Sequence, residues 1–279
     1  MKPARTIAQA FVVLVVAVAP AFAQTPAPAA PPTAASSSRP FKILDNSFLV
    51  EEAFNQEANI FQNILGFVRA GGNWAAVFTQ EWPVGGQRHQ FSYSLPYLQA
   101  GAGEGVGDIL INYRLQASTG QAGRPAFSPR ISAILPSGHS AAFRGNGAPG
   151  VQFNLPFSQQ VRDVYVHWNA GLTWFPAVDA PGLTESVSLT SPQIAASAIW
   201  RAAPMVHVMV ESVAIWEHSA SGAVPVRERA ITLSPGVRAG WNLGDRQLVL
   251  GVAVPVIFAG GTRETGVFLY ASYELPFRR

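Results

Sequence analysis

Apolar and polar side chains alternate in strand-length segments from residue 41 to residue 277, and this pattern constrains the fold most strongly. A period of two places the side chains of a strand on two opposite faces. In residues 164–174 every second residue from Val164 to Trp174 is apolar, while His167 and Asn169 lie between them. We count about twelve such segments of roughly 9 to 14 residues, long enough for tilted transmembrane strands.

The composition separates a membrane barrel from a soluble sandwich, which alternation alone also fits. The chain is 48% hydrophobic and only 13% charged, whereas about 25% of residues are charged in typical soluble domains. Beyond the N-terminal leader no apolar run is long enough for a membrane helix. A closed barrel remains, because lipid does not tolerate the unpaired backbone groups of an open sheet edge.

Tryptophans and loop lengths favour the same fold. An indole ring prefers the membrane interface, so tryptophans at segment ends indicate aromatic girdles; these are Trp74, Trp82, Trp174, Trp200, Trp216 and Trp241. Tight connections at 83–87, 158–161, 201–204 and 242–246 alternate with longer ones predicted at 98–105, 137–149, 176–185 and 217–227. We therefore predict an all-β fold over residues 59–279: a closed antiparallel transmembrane β-barrel of about 12 strands, with short periplasmic turns and longer extracellular loops.

The N-terminal region indicates export. Lys2 and Arg5 precede an apolar run at 11–18, and Ala21-Phe22-Ala23 forms a small-x-small cleavage site, so residues 1–23 are predicted to be a signal peptide. Residues 24–40, rich in Pro, Ala and Ser, are predicted to be a disordered linker. The predicted location is the bacterial outer membrane, with its lipid bilayer as a partner.

Residues 41–58 form a separate N-terminal segment that carries Glu51, Glu52 and Glu57. Two positions for it remain open. It folds into the barrel mouth as a gate or plug and pairs with lumen arginines, or it is a solvated periplasmic lead-in to the first strand.

Charge and residue inventory argue against several function classes. Of 19 Lys and Arg residues two lie in the leader, which leaves a near balance with 16 Asp and Glu and gives no reason to expect nucleic acid as a partner. The absence of cysteine excludes disulfides and thiolate metal sites. Five scattered histidines show no ligand spacing, so we predict neither metal nor cofactor. His139-Ser140 and His167 with Asn169 lack an accompanying acyl-hydrolase motif, and we predict that the chain is not an enzyme.

The last segment predicts a partner for assembly. Alternating apolar residues from Val267 end at the aromatic Phe277, which resembles the signal that the barrel-assembly machinery recognises. Arg278 and Arg279 follow the phenylalanine and depart from that pattern. A last amphipathic strand without a signalling role is the alternative.

Several short motifs resemble a family of outer-membrane β-barrels, labelled as transporters, that is associated with the meta-pathway of phenol degradation. They are Glu51-Glu52-Ala53-Phe54-Asn55-Gln56-Glu57, Phe78-Thr79-Gln80-Glu81-Trp82-Pro83-Val84, Gln87-Arg88-His89-Gln90, Gly107-Asp108-Ile109 and the Leu-Pro-aromatic triplets at Leu95, Leu155 and Leu275. The resemblance implies an outer-membrane channel for passive passage of small solutes, aromatic or hydrophobic compounds among them. The alternative is a non-conducting barrel with a structural or lipid-modifying role.

Nine ionisable residues are predicted to face the lumen. Their mixed charges would position a permeating solute, or they would form a structural ion-pair network, and both roles remain open. These candidates are Glu81, Arg88, Asp108, Arg114, Arg130, His167, His207, Glu211 and Arg238.

Overall fold

A computed structural model describes residue 43 and residues 47–100, 103–120, 123–179, 184–220 and 225–277. The predicted signal peptide, the predicted linker, and Arg278 and Arg279 lie outside the described residues.

The described residues form sixteen antiparallel strand segments and one short 3-10 turn at Ser140–Ala142. The strands are β1 (Ile60–Ala70), β2 (Asn73–Val84), β3 (His89–Ala100), β4 (Gly103–Val106), β5 (Ile109–Leu115), β6 (Ser118–Thr119), β7 (Ala126–Phe127), β8 (Arg130–Leu135), β9 (Gly150–Val161), β10 (Val164–Val178), β11 (Val187–Ala203), β12 (Val206–Ser219), β13 (Val226–Leu243), β14 (Arg246–Ala253), β15 (Val256–Ala259) and β16 (Thr262–Pro276).

These segments occupy twelve positions in the wall of a closed barrel, which confirms the predicted fold class. We call each position a barrel strand. β4, β5 and β6 together make one, β7 and β8 make the next, and β14 and β15 make the eleventh. The ring closes where β16 pairs with β1, in a register that runs from Ile60↔Pro276 to Ala70↔Gly266.

A proline interrupts the eleventh barrel strand. Pro255 separates β14 from β15, because a proline cannot donate a ladder hydrogen bond. Pro235 lies opposite this break, where the partner of β13 changes from β14 to β15, and its carbonyl accepts the N–H of Val254 at 2.9 Å. Both prolines therefore lie at the same break in the hydrogen-bond ladder, between β14 and β15.

Both ends of the chain's barrel region lie at one rim, since Ile60 pairs with Pro276. This is the periplasmic end, because outer-membrane barrels keep their short turns and their termini there. Tight turns connect strands at this end, at 162–163, 204–205 and 244–245.

The prediction of longer extracellular loops is only partly right. The connections at 136–149, 179–186 and 220–225 are long, but the predicted loop at 98–105 is wrong because β3 continues to Ala100 and β4 begins at Gly103. The turn between β1 and β2, also at the extracellular end, has only two residues. Gly71 and Gly72 both have positive φ, which a two-residue hairpin turn requires.

The two faces of the wall differ as the alternation predicts. On β9, Phe153 and Leu155 face outward and are 43% and 41% exposed, while Gln152 and Asn154 face inward and are buried. All six tryptophans named above face outward near strand ends. Trp82, Trp200 and Trp241 lie near the periplasmic rim, and Trp74, Trp174 and Trp216 lie near the extracellular rim. Among the described residues no helix is long and apolar enough to cross a membrane. The apolar outer surface between two aromatic girdles is that of a barrel in the bacterial outer membrane.

Candidate functional site

A stretch of ten residues lies inside the barrel. Residues 47–56, called here the inner segment, are all buried although none belongs to a strand. The barrel wall encloses them, from Gln56 near the periplasmic rim, which bonds to Gln90, to Phe48 farther inside the lumen, which packs on Phe268. The lumen is thus filled by chain that is not part of its wall.

Side chains of the wall accept hydrogen bonds from the backbone of the inner segment. A buried backbone N–H without a partner is costly, so the inward polar residues of the wall supply acceptors in place of a neighbouring strand. The acceptors lie on the third, fourth, sixth, seventh and ninth barrel strands, so the inner segment follows the inner wall around much of its circumference. The bonds run from Gln56 to Gln90 (2.7 Å), Asn55 to Gln116 (2.8 Å), Ala53 to Ser158 (2.7 Å), Glu51 to Asn169 (2.8 Å), and Leu49 and Val50 to Glu211 (2.8 and 3.1 Å).

Acidic residues of the inner segment meet two arginines of the wall. The Glu51 carboxylate lies 2.6 Å from Nε of Arg130, and both side chains are almost fully buried. Arg114 donates to the carbonyl oxygen of Glu52 and also interacts electrostatically with Glu81 on β2. Three carboxylates and two guanidinium groups therefore lie in one buried cluster, in which both guanidinium groups have carboxylates as neighbours.

Glycines of the wall make room for the Phe48 side chain. A Cβ atom at Gly236 or Gly251 would overlap the Phe48 ring. The ring stacks on Phe268 and packs against Tyr270, with centroid separations of 5.5 and 5.1 Å. Phe48 thus occupies a slot in the wall of β13, β14 and β16.

Seven of the nine predicted lumen residues are buried on the inward face. Two of them, Arg238 and His207, are hydrogen-bonded to each other: Nε of Arg238 donates to Nδ1 of His207 at 3.3 Å. The seven are Glu81, Arg114, Arg130, His167, His207, Glu211 and Arg238.

Arg88 does not face the lumen. It is exposed in the turn at 85–88, because β3 begins one residue later at His89 and alternation no longer fixes the direction of its side chain. Its backbone carbonyl nevertheless contacts the inner segment, since it accepts a hydrogen bond from Nδ2 of Asn55 at 3.0 Å.

Asp108 is buried but serves an extracellular loop. It lies between β4 and β5, and its two carboxylate oxygens accept the backbone N–H groups of Gly138 (2.9 Å) and Asn146 (3.0 Å). Burial raises the pKa of Asp108 above its ordinary value, although both hydrogen bonds oppose that rise. Asp108 thereby fixes the loop at 136–149 to the rim.

The three glutamates of the predicted gate differ in position. Glu51 and Glu52 are buried in the inner segment, whereas Glu57 is half-buried where the chain turns into β1. The carbonyl of Glu57 accepts the N–H of Ile60 at 3.2 Å. The structure therefore places the segment inside the barrel, and its action as a gate stays a prediction.

Sequence reasoning missed an apolar lining in the extracellular half of the lumen. There, inward-facing residues of β1, β2 and β3 such as Val68, Val77 and Leu98 are apolar and buried. Phe143, in the extracellular loop, packs against the same cluster. Both faces of these strand ends are apolar, so alternation is weak there; this doubly apolar pattern was the available signal.

A serine and a histidine of the wall form a close pair. Ser158 Oγ lies 2.7 Å from Nδ1 of His167 and also accepts the Ala53 N–H. The imidazole ring of His167 stacks on the ring of Tyr165, with their centroids 5.0 Å apart. Among the described residues no group of three His, Cys, Asp or Glu side chains could hold a metal ion.

Comparison with known proteins gives a likeness in fold. No protein-family model and no curated protein matches the chain. The COG4313 outer membrane channel from Pseudomonas putida F1 has a TM-score of 0.61 at 10% sequence identity, with 80% of this chain and 97% of that chain covered. Weaker likenesses include the NanC porin (TM-score 0.48, 9% identity, covering 76% of this chain and 100% of that one) and the CymD monoaromatic hydrocarbon channel (0.36, 9%, 80% and 90%). In fold, this chain is an outer-membrane β-barrel like the P. putida channel, which agrees with the resemblance of its motifs.

Proposed function

We propose that this protein is a gated channel for passive passage of small apolar compounds across the outer membrane, with the inner segment as its gate. The observation that carries the proposal is that the lumen is filled by residues 47–56, which are not part of the wall. The segment can leave without breaking a single strand pair.

The wall supports this proposal because many of its inward residues are small and leave room for a segment of chain inside the lumen. Barrels of eight strands are filled by their own side chains, and the interior widens with strand number. Here many inward positions of twelve barrel strands carry serine or glycine. Examples are Ser92, Ser94, Ser132, Gly171, Ser197, Ser234 and Gly236.

The contacts of the inner segment suit a gate. Each hydrogen bond contributes about 0.5–1.5 kcal/mol, more where a charged group takes part. They are made by wall side chains, and they can be exchanged for water when the segment leaves. A strand of the wall lacks this option, because its unpaired backbone would face lipid.

The apolar lining favours apolar solutes over sugars or ions. Val68, Val77 and Leu98 offer a solute no hydrogen-bond partner, so a polar solute loses its hydration there without compensation. The apolar side chains of the inner segment, Phe48 among them, belong to the same buried cluster as this lining.

Deletion of residues 43–56 tests the gate. We expect the variant to migrate as a folded, heat-modifiable barrel and to conduct ions in planar bilayers several-fold more than the full chain. Deletion of residues 27–40, which removes the same number of residues from the predicted linker, is the length-matched control and should leave conductance unchanged. A folded variant that conducts no better than the full chain would contradict the gate.

The solute class is tested with the same deletion variant. A small aromatic solute added to one side should produce transient blocks of the ionic current, and a sugar of similar mass should produce fewer. Val77→Thr, which adds a hydroxyl at nearly constant volume, should shorten the aromatic blocks. Equal blocking by both solutes would contradict an apolar preference.

A further inference from the structure

Arginines are concentrated on one outer side of the extracellular rim. β13 carries Arg227 and Arg229, β16 carries Arg263, and β1 carries Arg69, and all four are exposed. These strands are neighbours in the wall, since β13 pairs with β15, β15 with β16, and β16 with β1. We call these four residues the outer arginine patch.

Alternation directs the acidic neighbours of these arginines away from the patch. Glu228 lies between Arg227 and Arg229, and Glu264 follows Arg263, so both glutamates point into the barrel. The Glu264 carboxylate packs over Gly71 in the β1–β2 turn. The outer surface of the patch therefore carries positive charge without a compensating carboxylate on the same face of these strands.

Cross-strand partners set the height of the patch. Arg229 lies directly opposite Trp216, and Arg69 lies directly opposite Trp74. Both tryptophans belong to the extracellular girdle, which marks the level of lipid headgroups. The arginines are thus held at the depth where an outer-leaflet lipid carries its charge.

The outer surface beside and below the patch is apolar. Phe258 on β15 lies directly opposite Arg263, and Leu233 and Leu269 lie farther from the rim on β13 and β16; all three face outward and are between 41% and 48% exposed. A ligand that satisfies both the charged and the apolar surface needs a negatively charged head and acyl chains. Arginine binds phosphate groups in a two-pronged geometry.

We infer that the outer arginine patch is a binding site for the phosphorylated glycolipid of the outer leaflet, lipopolysaccharide. Its phosphates contact the arginines, and its acyl chains cover the apolar surface of β13, β15 and β16. At strand spacings of about 4.8 Å and a rise of about 3.3 Å per residue, Arg229 and Arg263 lie on the order of 12 Å apart, so one headgroup with two phosphates can reach both.

The other described strands carry no Lys or Arg on their outer face at this end. Glu104 is exposed there on β4 instead. The patch therefore predicts lipid binding on one side of the barrel only.

The test uses the full chain refolded in detergent and titrated with lipid A that carries two phosphates. Each arginine near a charged lipid surface contributes about 1 kcal/mol, so the triple variant Arg227→Gln/Arg229→Gln/Arg263→Gln should bind on the order of 100-fold more weakly. Arg246→Gln is the matched control, because Arg246 is exposed at the periplasmic rim; it should bind like the full chain. Arg263→Gln alone should weaken binding several-fold, should the triple variant fail to fold.

Three comparisons distinguish the ligand. Lipid A stripped of its phosphates should lose as much affinity as the triple variant loses, and inorganic phosphate should not compete at millimolar concentration. Phosphatidylglycerol should bind more weakly than lipid A. Equal affinity for phosphorylated and dephosphorylated lipid A, equal affinity for phosphatidylglycerol, or unchanged binding by the variants would overturn the proposal.

Discussion

Glu51 of the inner segment and Arg130 of β8 form a buried ion pair, with Oε1 of the carboxylate 2.6 Å from Nε of the guanidinium. The wall fixes Arg130 in place, because its other nitrogens donate to Gln152 at 2.8 Å and Asn112 at 3.2 Å. The arginine therefore presents a positioned charge, and in the proposed gate Glu51 is the partner that would leave it on opening.

Removal of the Glu51 charge should open the gate. Breaking a buried ion pair by removing one partner costs about 3–5 kcal/mol, because the remaining charge stays buried and uncompensated. We expect Glu51→Gln to raise the open probability in single-channel recordings by a hundredfold or more. Glu104→Gln, the same substitution at an exposed position of β4, should have no effect. An open probability equal to that of the full chain would show that the pair does not hold the gate.

Loss of the Phe48 ring, or filling of the slot that holds it, should release the inner segment. Phe48→Ala removes a buried ring, a loss of about 3–5 kcal/mol, and Gly251→Ala places a Cβ where the ring lies. Both variants should increase conductance and expose the inner segment to protease while the barrel still migrates as folded. Phe258→Ala, on the lipid-facing side of β15, is the control for loss of a ring. Protection of the inner segment in both slot variants would argue against this anchor.

The wall of this protein could be predicted from sequence because lipid imposes a simple rule on it. Outward residues such as Phe153 must be apolar and inward residues such as Gln152 need not be, so apolar and polar residues alternate along each strand. The predictions were wrong in parts of the chain that do not face lipid. Arg88 lies in a turn, and the loop expected at 98–105 is short because β3 and β4 extend beyond the girdle.

The contents of the lumen were harder to predict. The inner segment shows no regular alternation of apolar and polar residues, since its backbone bonds to side chains such as Asn169 and Glu211 from distant parts of the chain. Its glutamates suggested an arginine partner, but the sequence does not tell which of Arg114, Arg130 and Arg238 is in reach. Only the register of the closed barrel brings Arg130 to Glu51.

Ser158 should act as a support of the gate. Ser158→Ala leaves the Ala53 N–H buried without its acceptor, which costs about 1–3 kcal/mol. We expect a rise in open probability of roughly five- to a hundredfold, and Ser212→Ala on the outer face of β12 should behave like the full chain. Loss of hydrolysis of an acyl ester in Ser158→Ala, with gating unchanged, would instead favour the lipid-modifying alternative.

The pH dependence of the extracellular loop should follow Asp108. Because burial raises the pKa of this carboxyl above 3.8, folding favours its protonated form. That contribution to loop stability is fully present below pH 3.8 and is lost as the pH rises through the folded-state pKa. Hydrogen exchange of the Gly138 and Asn146 amides, corrected for intrinsic rates, should therefore show protection that declines with rising pH. Asp108→Asn should remove this pH dependence, and it should also weaken protection of one of the two amides, because an asparagine has a single acceptor oxygen. Asp245→Asn, in a turn at the periplasmic rim, should keep the full pH profile. The same profile in Asp108→Asn would mean that another group titrates.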